Sequence, residues 1–222
     1  MALAFQYPFA RPSVTATVTI FHEDGKRFLT GKRSKTTSAY PDTDSMPGGF
    51  LDARIDKHDI VKSLKDLLKL NAWKALAAKA VRPGETVEQA AVRELHEETG
   101  LVISEDRLVQ VWTCSDPELD PRCHVVNVSF YVVVSDADLE FLQAGDDLQS
   151  VDWQVNEMLA DHTYKLAFNH AQLARRAFKR FSDDRELELY KQIKTIQYAH
   201  LVHTGGDLAE RVETARKLNG AN

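Results

Sequence analysis

Three glutamates, Glu94, Glu97 and Glu98, stand at positions i, i+3 and i+4. On a helix that spacing puts their carboxylates on one face. Like charges so placed repel one another and weaken an isolated helix, so something positive has to sit among them. Hard divalent cations such as Mg²⁺ take oxygen ligands, keep several waters and bridge to substrate phosphates. The pattern therefore points to metal-assisted phosphate chemistry, with Mg²⁺ as the first choice of ion and Mn²⁺ as a substitute.

A helix able to carry that face is written around the glutamates. Residues 82–101 read R-P-G-E-T-V-E-Q-A-A-V-R-E-L-H-E-E-T-G-L. Pro83-Gly84 makes a turn, and Thr86 and Gln89 have the spacing of a reciprocal N-terminal cap. Ala90, Ala91, Val92 and Leu95 supply apolar positions, and Thr99-Gly100 is a stop. Arg93 neighbours the glutamates in sequence but points about 100° away around the helix.

The run from Glu85 to Leu101, E-x7-R-E-L-x-E-E-x-G-L, resembles the signature of the Nudix hydrolases. That signature opens with a glycine, and Lys79 stands in its place here. Met46-Pro47-Gly48-Gly49-Phe50 looks like the family's P-G-G-F strand-to-loop segment. Between Gly49 and Glu85 lie 35 residues, far more than the family's short spacing, so residues 53–82 read as an insertion inside the motif. Its ends must return close together, or Gly49 and the helix could not meet. The resemblance implies that Glu94, Glu97 and Glu98 act with Arg93 as the catalytic set. It also implies that the Gly49 carbonyl joins the three glutamates as a metal ligand, and that Arg93 pairs with Glu85 to fix the helix against the Gly48-Gly49 loop. Arg33, Gly48, Gly49 and Phe50 are the expected substrate-binding residues. An additional acid serving as general base or metal ligand is expected among Glu140, Asp146, Asp147 and Asp152, which the sequence does not rank. The implied reaction is attack on a diphosphate by a water that the metal or a carboxylate has activated.

The remaining chain fits an α/β protein. Residues 13–21 alternate β-branched positions as a strand, and after the Glu23-Asp24-Gly25 turn residues 28–33 return as its hairpin partner. Residues 101–103 and 108–113 read as strand material, and residues 125–134 as the strongest buried strand. Residues 151–153 read as a short strand. The loop S-D-P-E-L-D-P-R (115–122), the R-P-S-V-T start and L-A-F-N-H (166–170) resemble the ADP-ribose pyrophosphatase subgroup of the Nudix enzymes. Leu119, Cys123 and Asn169 depart from that subgroup's pattern. The expected architecture is a Nudix α/β/α sandwich around a mixed sheet. Residues 1–182 would form the domain, with 53–82 as its helical insertion, and 183–222 a helical C-terminal extension suited to interaction or dimerisation. The insertion carries lysines 57, 62, 65, 69, 74 and 79. They read as a basic lid over an anionic substrate or, more simply, as the solvated face of an amphipathic helical pair.

Composition limits the classes of partner. A chain of 222 residues with 43% hydrophobic and 27% charged residues is ordinary for a globular protein. A net charge of −5 argues against a general nucleic-acid binder. Two cysteines make no disulfide framework, which fits a reducing cytoplasm. No apolar run is long enough to span a membrane. The expected partner is a small nucleoside diphosphate substrate, with a homodimer implied by the resemblance. ADP-ribose, cleaved to AMP and ribose 5-phosphate, is the first-choice substrate. The rivals are other dinucleotides, nucleoside triphosphates, and a non-catalytic sensor that binds ADP-ribose.

Overall fold

The computed structural model describes residues 11–52, 84–145 and 148–203, with backbone alone from 197 onward. The proposed insertion, Asp146 and Asp147, and the chain beyond 203 lie outside the described residues. The elements in order are β1 (Ser13–His22), β2 (Arg27–Arg33), β3 (Asp44–Ser45), β4 (Gly48–Phe50), α1 (Val87–Thr99), β5 (Val109–Cys114), β6 (Val125–Val134), β7 (Leu148–Val155) and α2 (His170–His203). Short 3₁₀ turns stand at Glu105–Arg107, Asp136–Phe141 and Asn156–Ala160. The chain forms two compact units, residues 1–177 and 178–222.

Among the described residues, seven strands make one mixed sheet in the order β3-β2-β1-β6-β5, with β4 paired to β1 and β7 to β2. β1 and β6 run parallel over ten residue pairs, from Ser13↔Val125 to His22↔Val134. The other pairings are antiparallel. Side chains alternate between the faces of a strand, so this register stacks Ala16, Val18 and Ile20 beside Val128, Phe130 and Val132 on one face. Ala90, Ala91 and Leu95 of α1 complete that core. Thr15, Thr17, Thr19 and Phe21 face the opposite way. The segment leading into α2 and the first turns of α2 cover that second side, with Tyr164 edge-on to Phe28 and the Arg176 guanidinium 3.9 Å from the Trp112 ring centre. The layering is that of the α/β fold expected from the sequence.

Two differences from the sequence reading concern element boundaries, and the first has a local cause. Leu101–Ile103 is not a strand: Gly100 takes a left-handed φ of 73° and turns the chain away from the helix axis. Leu101 and Ile103 still enter the core, but as irregular chain. The helix opened at His170 also runs without interruption past residue 183 to His203. Among the described residues no helix is long and apolar enough to cross a membrane.

Candidate active site

The cap of α1 sets the position of every acid on it. The Thr86 hydroxyl accepts from the Gln89 N–H at 3.2 Å, and the Gln89 side chain accepts from the Thr86 N–H at 3.0 Å. This reciprocal box satisfies two helix-end donors, and the Gly100 N–H closes the far end on the His96 carbonyl. Just before the cap, Glu85 and Asp52 are joined twice. The Glu85 N–H donates to the Asp52 carbonyl at 3.1 Å, and the Asp52 N–H donates to Glu85 Oε1 at 2.7 Å. The residues on either side of the long intervening stretch therefore meet.

Arg93 is the hub of the acidic cluster. Its Nε and Nη2 donate to the two oxygens of Glu85 at 3.0 and 2.6 Å, and Nη2 also donates to the Phe50 carbonyl at 3.0 Å. Nη1 donates to Glu94 at 2.8 Å and to Glu97 at 3.0 Å. The helical offset thus does not keep Arg93 away from the glutamates, because a side chain of this length curls back over its neighbours. The guanidinium holds the Glu85 carboxyl below its usual range. The carboxylates in turn push Arg93 above the ordinary guanidinium value. Glu94 moves the other way: burial raises its pKa, the contact with Arg93 opposes the shift, and the charges of Glu97 and Glu85 add to it.

Glu98 is 6% exposed, and its Oε2 accepts the Gly48 N–H at 3.0 Å. Gly48 lies so close to β1 that a Cβ would strike the Ala16 carbonyl oxygen, and a Cβ on Gly49 would fall on the Glu94 carboxylate. Only glycine lets the β4 backbone come this near to the acids.

A cavity of about 370 Å³ opens over these groups. Its lining includes Gly48, Gly49, Phe50, Arg93, Glu94, Glu97 and Glu98. It also includes Arg33, Asp120, Arg122, Phe168, Asn169 and His170, with Thr15, Thr17 and Asn127 on the sheet. Asp120 grips the Arg122 guanidinium at 2.9 and 2.7 Å, and that guanidinium lies 5.0 Å from the Phe50 ring centre and 5.4 Å from that of Phe168. Arg33, expected to touch substrate, reaches the cavity but is 9% exposed and donates its Nε to the Ala39 carbonyl. Its neighbour Lys32 pairs with Asp44 at 3.4 Å.

The site is the wrong place for two of the candidate bases. Glu140 sits on an exposed 3₁₀ turn and Asp152 on β7 beside Ser150, and neither lines the cavity. Pairing with β2 holds β7 across the sheet from β4, which is why Asp152 stays apart. Asp146 and Asp147 are outside the described residues. They follow Gly145, whose N–H donates to the Glu98 carbonyl at 3.0 Å.

The donor set suits a hard cation. Arg93 Nη1 is one positive point on which oxygens of Glu94 and Glu97 already converge, and burial pushes the half-buried Glu94 carboxyl up, a shift that a further positive charge would oppose. Among the described residues, the trio with ligand atoms all within 4.8 Å of one another is His22, Glu23 and Asp136. There the His22 ring is already engaged by the Asp24 N–H, Arg27 and Asp136.

The NUDIX domain profile matches residues 65–178. An ADP-ribose pyrophosphatase of Methanocaldococcus jannaschii is 36% identical over 131 residues, covering 57% of this chain and 70% of that protein. The chain belongs to the Nudix family of pyrophosphohydrolases. A MutT/nudix family protein from Enterococcus faecalis shares the fold with a TM-score of 0.56 at 23% identity, over 80% of this Nudix chain. This chain spans 65% of that protein's length, just under two thirds. The NUDIX domain of Shewanella oneidensis NrtR, solved with ADP ribose, superposes with a TM-score of 0.54 at 21% identity, over 79% of this chain and 94% of its own. Divalent-metal chemistry is general in the Nudix family, in keeping with the acidic helix. Site-lining residues that the sequence reading left without a role are Asp120, Arg122, Phe168, Asn169 and His170. The signal was available in the D-P-R and L-A-F-N-H segments, but nothing in the sequence brings those two segments together in space.

Proposed function

We propose that this Nudix protein hydrolyses the diphosphate bond of a nucleoside diphosphate derivative, with ADP-ribose as the preferred substrate and AMP and ribose 5-phosphate as products. The observation that carries this reading is one cavity lined both by the carboxylates of α1 and by paired guanidinium and aromatic groups. The 36%-identical relative named an ADP-ribose pyrophosphatase supports the choice of substrate. Glu94, Glu97 and Glu98, with the Gly49 carbonyl, would hold Mg²⁺ or, in its place, Mn²⁺. When bound, the metal neutralises phosphate charge and makes water a better nucleophile.

The chain's own residues set the geometry. Glu98, fixed by the Gly48 N–H, joins the acid face of α1 to β4. Arg93 clamps the same two elements through Glu85 and the Phe50 carbonyl. The wall formed by Phe50, Arg122 and Phe168 offers flat faces to a base, so that the diphosphate lies toward the acids. The homodimer implied by the resemblance belongs to the same reading, and light scattering tests it.

Product formation should be followed for ADP-ribose, NADH, FAD, diadenosine polyphosphates and nucleoside triphosphates, with Mg²⁺ or Mn²⁺. Wild type should cleave ADP-ribose fastest, and Glu98→Gln should lower kcat by on the order of 100-fold or more. Activity confined to another diphosphate would overturn the substrate, and tight ADP-ribose binding without turnover would favour the sensor reading.

A further inference from the structure

His170 is a buried residue to which the hydrolytic reading gives no part. It is 8% exposed and lines the cavity. Its Nδ1 accepts the Met46 N–H at 3.0 Å. A backbone N–H can only donate, so the ring proton of the neutral imidazole must be on Nε2. Among the described residues, Nε2 meets no hydrogen-bond partner. Burial keeps the ring neutral, bringing its pKa down to about 3; Arg33 adds to the shift and Asp120 opposes it. The cavity wall therefore holds a neutral N–H donor of fixed direction with no protein acceptor among the described residues.

We infer that His170 reads the nucleobase of the substrate, its Nε2–H donating to an aromatic ring nitrogen in the cavity beside Phe168, whose ring also carries the Arg33 and Arg122 guanidinium groups, each 5.4 Å from its centre. This inference rests on the nucleotide reading above and deepens it.

The surroundings favour a base over a phosphate or a sugar. The Phe168 ring centre is 5.3 Å from that of His170, and Tyr40 backs Phe168 from 4.7 Å. Phe168 is held at a φ of 53°, a left-handed conformation unusual for a bulky residue, so the aromatic wall has a defined position. An anionic phosphate would gain most from a charged donor, and His170 is uncharged. The nearest guanidinium groups are partly committed, Arg122 to Asp120 and Arg33 to the Ala39 carbonyl. A flat heterocycle with a neutral acceptor matches both the ring faces and the single donor. A ligand that covers this donor without pairing it loses the donor's hydration, so a ligand that pairs it gains discrimination against one that does not.

Two substitutions separate the ring's two nitrogens. The side chain in His170→Asn can keep the acceptor for the Met46 N–H but is too short to replace Nε2. The side chain in His170→Gln reaches the Nε2 position with an amide N–H and gives up the Met46 contact. Binding of AMP and of ribose 5-phosphate to the full chain in Mg²⁺ buffer is measured by calorimetry, with melting temperature alongside. His170→Asn should weaken AMP binding by about 5- to 50-fold and leave ribose 5-phosphate unchanged, with little change in melting temperature. His170→Gln should retain most of the AMP affinity while melting lower.

Equal losses for both ligands, AMP affinity unchanged in His170→Asn, losses that follow melting temperature, or no AMP binding by wild type would each overturn the inference. Failure of the hydrolase reading shows separately, as absence of ADP-ribose turnover by wild type in the product assay.

Discussion

Arg93 makes five hydrogen bonds from one guanidinium, to Glu85, Glu94, Glu97 and the Phe50 carbonyl. A lysine ammonium is a point charge and cannot serve this fan of acceptors. Arg93→Lys should therefore lower unfolding free energy by about 1–3 kcal/mol in urea titration, while leaving the secondary structure seen by circular dichroism unchanged. A second arginine gives a pH test remote from the cavity. Arg107 grips both oxygens of Asp138 at 2.7 and 3.0 Å, and Ser135 donates to the same carboxylate. The Arg107 contact, reinforced by Ser135, holds Asp138 well below its ordinary value of 3.8. Because the folded-state pKa is the lower one, the stabilisation is fully present above the unfolded-state value and is lost as pH falls toward the folded-state value. Asp138→Asn should cost about 1–3 kcal/mol at neutral pH. Its deficit relative to wild type should shrink below about pH 4. A deficit independent of pH would show that the loss is one of packing rather than charge.

Helix α1 is the element on which the sequence was most explicit. The Thr86 and Gln89 spacing predicted a capping box, and both of its hydrogen bonds are present. Thr86→Ala should cost about 0.5–2 kcal/mol. It should also reduce activity in the product assay more than a stability loss of that size would alone, since the cap sits beside Glu85. β1, β2 and β6 were equally readable, because alternation and β-branched runs report directly on a buried sheet. The apolar run at 101–103 misled for a physical reason. A short hydrophobic stretch enters the core as strand or as irregular chain alike, and the turn at Gly100 decides between them.

At the scale of the whole molecule, a ligand that binds only the folded state raises stability by mass action. Mg²⁺ or Mn²⁺ at about 100 times its dissociation constant should add about 2.7 kcal/mol, read as a rise in melting temperature that a chelator reverses. Glu94→Gln should diminish the rise. The same rise in the variant would place the ion elsewhere. The sequence by itself determined the Nudix family, the α/β class and the acid face of α1, because helical and strand periodicities and a spaced signature are local properties of a chain. The insertion reading also required Gly49 and the helix to meet across the long intervening stretch; Gly49 lies against the Glu94 carboxylate, and Asp52 and Glu85 are hydrogen-bonded to each other. Only the tertiary structure decided that Arg93 ties α1 to the Phe50 carbonyl and that Glu140 and Asp152 stand away from the cavity. It alone brought Arg122, Phe168 and His170 to one wall. Those relations depend on how a mixed sheet stacks segments more than forty residues apart, and no local pattern encodes that distance.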